Sequence, residues 1–266
     1  MPTVREIEGA VYDFAPRRLA QSWDNVGLLI GDGGREVRRV LVALDVTEDV
    51  AAEASEQGAE LILAHHPVMN CTWRPVQSLL EEDIQGRLLR RLVRDGTAVI
   101  CMHTNLDAAE EGVNAALARA LGLEDAGPVV EEGIERIGSL SAPMDLPAFL
   151  ALVGERLRPN GIRYVDAGRP IRRVAVGGGA CADFLEEAAG LGCDAFVTAD
   201  VKYNQFLDAK ALGISLIDAG HFPTEDVVCP VLVSFLREKF PGLAVEKSAR
   251  HREVFSYWTP GREGAP

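Results

Sequence analysis

Short runs of β-branched and other apolar residues recur along the chain, separated by stretches of helical periodicity, and this alternation constrains the fold most. Val40-Leu41-Val42-Ala43-Leu44-Asp45-Val46 is nearly continuous in hydrophobicity, the pattern of a strand covered on both faces. Residues 60–64, 97–102, 162–166, 171–176, 195–199 and 214–219 read the same way, with further strands expected at 134–141 and near 253–258. Helices are expected at 3–14, from the Thr47 cap to Gly58, at 78–95 before Gly96 and at 108–121 before Gly122. Others run from the Asp145 cap to Leu157, and over 182–190, 202–212 and 225–238. This β-α-β rhythm predicts an α/β fold with mostly parallel or mixed sheets flanked by helices. The acidic, Gly- and Pro-bearing stretch 123–133 marks a boundary, so two lobes are expected, 1–126 and 127–266. The last helix and strand would pack back on the first lobe, and the functional site would lie in the cleft between the lobes. No residue-level repeat relates the halves.

The 266 residues carry a net charge of −13, which argues against gripping nucleic acid through phosphate neutralisation. The five cysteines, at 71, 101, 181, 193 and 229, form no CxxC pair; Cys101 and Cys193 lie within or beside apolar runs as buried free thiols do, and a reducing cytoplasm without a disulfide framework is expected. Nothing resembles a signal peptide, and no apolar stretch approaches the roughly 20 residues needed to span a bilayer. A cytoplasmic protein with no membrane contact is expected.

The chemistry concentrates in the histidines. Of five, His65 and His66 are adjacent at the end of the run Leu61-Ile62-Leu63-Ala64. His103 follows the 97–102 run and opens His103-Thr104-Asn105-Leu106-Asp107; His221 follows the 214–219 run and leads to Glu225. Each lies where a strand gives out, the edge at which α/β sheets bind ligands. A single strand-end histidine is most simply a hydrogen-bonded structural residue, and acids such as Asp107 and Glu225 suit helix N-termini. Three coincidences, two with an acid four residues downstream, point instead to a metal site. Neighbouring strand residues face opposite ways, so His65 and His66 suit two ions better than one. Mixed imidazole and carboxylate donors favour Zn, Mn or Fe(II) and, lacking thiolate, exclude a structural zinc cage. Paired divalent cations would make hydrolysis of an anionic small molecule the expected reaction.

Ser22-Trp23-Asp24-Asn25-Val26-Gly27-Leu28, His65-His66-Pro67, His103 to Asp107, Thr198-Ala199-Asp200-Val201-Lys202-Tyr203 and Asp218-Ala219-Gly220-His221 closing on Glu225 together resemble the GTP cyclohydrolase 1 type 2 homologue family, the dinuclear-metal "interacting factor three"-like proteins. The motifs occur in the family's order over nearly the whole chain. The resemblance implies a dinuclear site of His65, His66, Asp107, His221 and Glu225, with Glu225 bridging, in a two-lobed fold assembled as a hexameric ring. Ala199 stands where the family usually has Gly, and Asn204 where it has His. Neither position belongs to the ligand set. A metal-binding regulatory or interaction protein without turnover is the alternative reading.

His103 is the candidate general acid/base or the partner that orients Asp107. Asp24 and Asn25 sit on a turn that suits Asx chemistry or cavity lining, with Trp23 expected to anchor packing. Gly177-Gly178-Gly179 reads as an anion cradle or a tight strand-to-helix turn. Lys202 and Tyr203 are candidates for substrate phosphate, whereas His251, among Arg250, Arg252 and Glu253, is expected at the surface.

Overall fold

The structure, a computed structural model, describes residues 1–70 and 75–258; Cys71 and the Pro/Gly tail beyond 258 lie outside them. The strands are β1 (Gly27–Ile30), β2 (Arg39–Ala43), β3 (Leu61–Ala64), β4 (Ala98–Cys101), β5 (Glu124–Pro128), β6 (Arg136–Met144), β7 (Arg163–Val165), β8 (Ile171–Val176), β9 (Ala195–Thr198), β10 (Ser215–Asp218) and β11 (Ala244–Lys247). They form two sheets, in the orders β1-β4-β3-β2-β11 and β5-β6-β8-β9-β10-β7. Helices α1 (Val4–Phe14), α2 (Glu48–Gln57), α3 (Ile84–Asp95), α4 (Thr104–Ala108), α5 (Val113–Ala120), α6 (Leu146–Leu157), α7 (Leu185–Gly190), α8 (Tyr203–Leu212), α9 (His221–Glu225) and α10 (Cys229–Lys239) accompany them. The chain divides into two compact units. The first comprises Met1–Ala116, Pro128–Ile134 and Asp226–His251; the second comprises Leu117–Gly127, Glu135–Glu225 and the residues from Arg252.

In the first unit β11, β2, β3 and β4 run parallel and β1 closes the far edge antiparallel to β4. Every residue of β3 and β4 is buried, which requires cover on both faces. Leu41, Ile62, Val99 and Cys101 join Leu88, Leu89 and Leu92 of α3 in one core. In the second unit β8, β9 and β10 are parallel, with β6 and β7 antiparallel outside them. Phe149 of α6 is fully buried in this unit. Phe149→Ala should destabilise the protein by about 3–5 kcal/mol, read as a lower denaturant midpoint.

Local sequence rules place most elements where expected. Thr3 and Glu6 form a reciprocal capping box on α1. Thr47 accepts from Val50 N–H and Asp145 from Ala148 N–H, each capping its helix as anticipated. Gly58 and Gly96 terminate α2 and α3 in the left-handed conformation.

Five expectations need correction. The helix predicted from 78 starts at Ile84, because the Asp83 carboxylate accepts from Ser78 Oγ at 2.8 Å and the backbone at Asp83 is still extended. The helix predicted over 108–121 is α5, which starts only at Val113, after the backbone at Gly112 crowds the carbonyl of Leu106; a Cβ there would sit 1.8 Å from that oxygen. The boundary stretch 123–133, for which no strand is expected from the sequence, contains the exposed strand β5. The helix predicted over 225–238 is α9, a short 3-10 turn over Asp226–Val228, and α10, with Pro230 in the first turn of α10. Residues 253–258 are not a strand: Val254 and Trp258 are more than 80% exposed and find no sheet partner. The last strand is β11, only four residues long.

Beyond β11 the ladder continues through Ser248 N–H to the Val42 carbonyl at 2.8 Å. Glu53 of α2 then pins the turn, accepting from Ser248 Oγ, from Ala249 N–H at 3.0 Å and from Arg250 N–H at 3.2 Å. Burial opposes ionisation of Glu53, but these hydrogen bonds outweigh it and hold its carboxyl below the usual range. A lowered folded-state pKa stabilises fully above the unfolded value of 4.5 and loses that stabilisation as pH falls through the folded value. The difference in melting temperature between wild type and Glu53→Gln should therefore be open at neutral pH and close on acidification below about 4.5.

Candidate metal centre

Parallel pairing aligns the carboxyl ends of three strands in the first unit, since Ala43, Ala64 and Cys101 are in register. Asp45, His65 with His66, and His103 follow those ends directly. The backbone turns at once, with His65 and His66 N–H groups both reaching the Leu44 carbonyl, at 3.1 and 2.9 Å. The two side chains then part. His65 Nδ1 lies 2.8 Å from the Met102 carbonyl, on the β4 side, and His66 Nδ1 lies 2.9 Å from Asp45 Oδ1, on the β2 side. Their rings nevertheless stay 4.8 Å apart, and the His103 ring is 5.2 Å from His65 and 5.6 Å from His66. One ring nitrogen from each of the three lies within 4.8 Å of the others, close enough to share a cation.

Hydrogen-bond direction settles which nitrogen each ring offers. A carbonyl or carboxylate only accepts, so Nδ1 donates in His65 and His66, and again in His103, whose Nδ1 lies 2.9 Å from Asp24 Oδ1. Each ring then turns an Nε2 lone pair away from its support. This is the arrangement by which supporting acceptors fix the tautomer of metal-binding histidines. Asp107, buried in the first turn of α4, places Oδ1 3.5 Å from His65 Nε2.

The supporting carboxylates are themselves well supported. Burial disfavours a charged Asp24, yet hydrogen bonds from His103 and Thr104 overcome it and pull the pKa down to about 2. Thr104 N–H donates to Asp24 Oδ2 at 2.9 Å, and Asn25 N–H to Oδ1 at 2.8 Å, so Asp24 serves both the turn and the histidine. Trp23 does not anchor a core; it is 48% exposed and stands edge-on to His103 at 5.9 Å. Asp45 is half-buried, and hydrogen bonds from His251 and His66 outweigh the desolvation and hold it well below the carboxylate range. His251, expected at the surface, is 8% exposed, its Nε2 3.2 Å from Asp45 Oδ2.

The second unit carries an imidazole–carboxylate pair of its own. Parallel strands β8, β9 and β10 release Gly177–Gly179, Asp200 and His221 from one edge. His221 and Glu225 sit one helical turn apart on α9, with Nε2 3.0 Å from Oε2. His221 Nδ1 donates to Asp200 Oδ2 at 2.7 Å, so Nε2 again faces the carboxylate. Burial would lower the His221 pKa, but Glu225 and Asp200 together push it up to about 11.

The glycine run is a tight turn fitted against that pair. Gly179 adopts φ +63°, and a Cβ there would lie 2.1 Å from Glu225 Oε1 and 3.1 Å from His221 Nε2. Its N–H donates to Thr224 Oγ1 at 3.0 Å, and its carbonyl accepts from Ala199 N–H at 2.9 Å and Thr198 Oγ1 at 3.1 Å. Ala199 is fully buried in that contact. Lys202 and Tyr203 open α8 as exposed residues.

Sequence reasoning thus located the histidines but missed Asp45, Asp200, Thr224 and His251. The available signal for the two aspartates was position: each follows the carboxyl end of a parallel strand, as the histidines do.

The Duf34/NIF3 (NGG1p interacting factor 3) family model matches residues 2–253. A Clostridium perfringens protein named GTP cyclohydrolase 1 type 2 homolog is 34% identical over 237 residues, covering 86% of this chain and 88% of that one. The Helicobacter pylori J99 protein named GTP cyclohydrolase 1 type 2 is 31% identical, covering 88% of this chain and 93% of its own. Among solved structures, Staphylococcus aureus protein SA1388 superposes with a TM-score of 0.89 at 29% identity, covering 97% of this chain and all of that one. On the match along nearly its full length, the chain belongs to the Duf34/NIF3 family.

Proposed function

We propose that this protein is a dinuclear metal-dependent hydrolase of a nucleotide-like or other phosphorylated small molecule. His65, His66, Asp107, His221 and Glu225 serve one pair of divalent cations (Zn, Fe or Mn), with Glu225 bridging and His103 acting as general acid/base. The observation that carries this reading is the repeated tautomer lock: His65, His66, His103 and His221 each commit Nδ1–H to a carbonyl or carboxylate. Purely structural histidines have no need of four such supports beside buried acids.

The donor set is all nitrogen and oxygen, which fits the harder divalent ions. Bound divalent ions supply Lewis acidity and a nucleophile at neutral pH. Two such ions carry four positive charges and Asp107 with Glu225 return two, so the centre favours an anionic substrate. His103, held through Nδ1 by Asp24, can exchange a proton at Nε2 without losing its orientation. Among the described residues no helix is long and apolar enough to cross a membrane. A cytoplasmic hexameric ring is proposed on the family resemblance.

The deciding experiment combines elemental analysis of gently purified protein with turnover of a nucleotide and phosphoester panel that includes GTP. Two equivalents of metal are expected, with turnover that falls at least about 100-fold in His66→Ala and Glu225→Ala. Stoichiometric metal with equal background rates in all three would overturn the hydrolase and leave a metal-binding regulatory or interaction protein. Absence of metal would overturn both. Light scattering reads the assembly, for which six copies are expected.

A further inference from the structure

Of the five histidines, His251 is the one that the metal reading does not use, and it is buried beside the ligand region. Leu44 N–H points at its Nδ1, 3.3 Å away, so that nitrogen accepts and the proton of the neutral ring resides on Nε2. Nε2 then donates to Asp45 Oδ2 at 3.2 Å, and Asp45 Oδ1 accepts from His66 Nδ1 at 2.9 Å. The Leu44 amide, which can only donate, fixes the tautomer of His251, and the Asp45 carboxylate, which can only accept, takes a proton from each ring. We propose that His251 is a positioning residue for metal ligation: through Asp45 it holds His66 in the Nδ1–H tautomer and aims its Nε2 lone pair at the cation.

Two observations show that this placement is built. Strand β11 pairs in parallel with β2, Lys247 opposite Val42, so the residues after β11 emerge at the same sheet edge as Asp45. Glu53 then folds the turn back, accepting from the backbone of Ala249 and Arg250 while Ser248 Oγ accepts from His251 N–H at 3.1 Å. Without His251, one Asp45 oxygen would lose its donor and the carboxylate could rotate. His66 would then take up either tautomer, and in the Nε2–H form it cannot ligate through that atom. Supporting partners of this kind typically change metal affinity by about 10–100-fold when removed.

The inference rests on the ligand role proposed for His66, but its test is separable. Long-range proton–nitrogen correlation spectra of metal-free, histidine-labelled protein report the tautomer of each ring directly. Wild type should show His66 and His65 as Nδ1–H and His251 as Nε2–H. In His251→Phe, His66 should become a tautomer mixture while His65, held by the Met102 carbonyl, stays unchanged as an internal control. Cobalt(II) titration of the same variant should show about 10–100-fold weaker uptake and an altered visible spectrum. Should His251→Phe fail to fold, His251→Gln decides, since its amide oxygen can accept from Leu44 N–H and its amide nitrogen can donate to Asp45. It should retain the wild-type His66 tautomer and affinity, whereas His251→Leu should not. An unchanged His66 tautomer in both His251→Phe and His251→Leu, or an Nε2–H His66 in wild type, would overturn the proposal. A wild type with the expected tautomers that takes up no cobalt would instead overturn the metal reading.

Discussion

Gly179→Ala is expected to strip metal from the protein while leaving a folded chain. The substitution would place a Cβ 2.1 Å from Glu225 Oε1 at a backbone φ of +63°, so two penalties act together. The left-handed conformation costs an L-residue roughly 1–2 kcal/mol, and overpacking adds a cost of similar size. The cheaper relaxation is for the Glu225 carboxylate to swing away, since the turn is tied down by Thr224, Ala199 and Thr198. The melting temperature should drop by several degrees and bound metal should fall below half of the wild-type content by elemental analysis. Glu225→Gln gives the matching control, losing metal without the strain. Wild-type metal content in Gly179→Ala would show that the turn does not govern the carboxylate.

His65→Ala should have the larger effect on the first unit's donors. The ring is fully buried, and its Nε2 lies 3.5 Å from Asp107 Oδ1. Removing it takes away a proposed ligand, leaves the Met102 carbonyl without its 2.8 Å donor and opens a cavity beneath Asp107. Metal affinity should fall by more than the roughly 100-fold assigned to loss of a supporting partner. Titration with cobalt or zinc monitored calorimetrically reads this directly. Exogenous imidazole, small enough to enter such a cavity, should restore part of the binding. Affinity within about threefold of wild type would remove His65 from the ligand set.

Much of this was legible in the chain because it was local. The apolar runs ending at Ala64, Cys101 and Asp218 announced strands, and the histidines after them announced the edge where chemistry gathers. Caps at Thr3, Thr47 and Asp145 and glycine stops at 58 and 96 follow from side-chain and backbone geometry within a few residues. What escaped was long-range. β11 is four residues with one buried side chain, Val245, and acquires strand character only by pairing with β2. His251 reads as a surface residue because Arg250 and Arg252 flank it. Its burial depends on that same pairing, and its bond to Leu44 N–H joins residues 207 apart in sequence. Conversely, 253–258 has strand composition but no strand to pair with among the described residues. The break at Gly112 is legible only once the Leu106 carbonyl is seen pressing on it.

The first unit is assembled from stretches that leave the ribosome at very different times. Leu44, Asp45 and His66 emerge early, whereas the imidazole that caps Leu44 is translated 207 residues later, about 10–40 s at ordinary elongation speed. Throughout that interval the nascent chain carries its first histidines with one of their props still unmade. Completion of this cluster is thereby coupled to synthesis of residue 251, and a chain cut short before it has its early imidazoles in place but unsteadied.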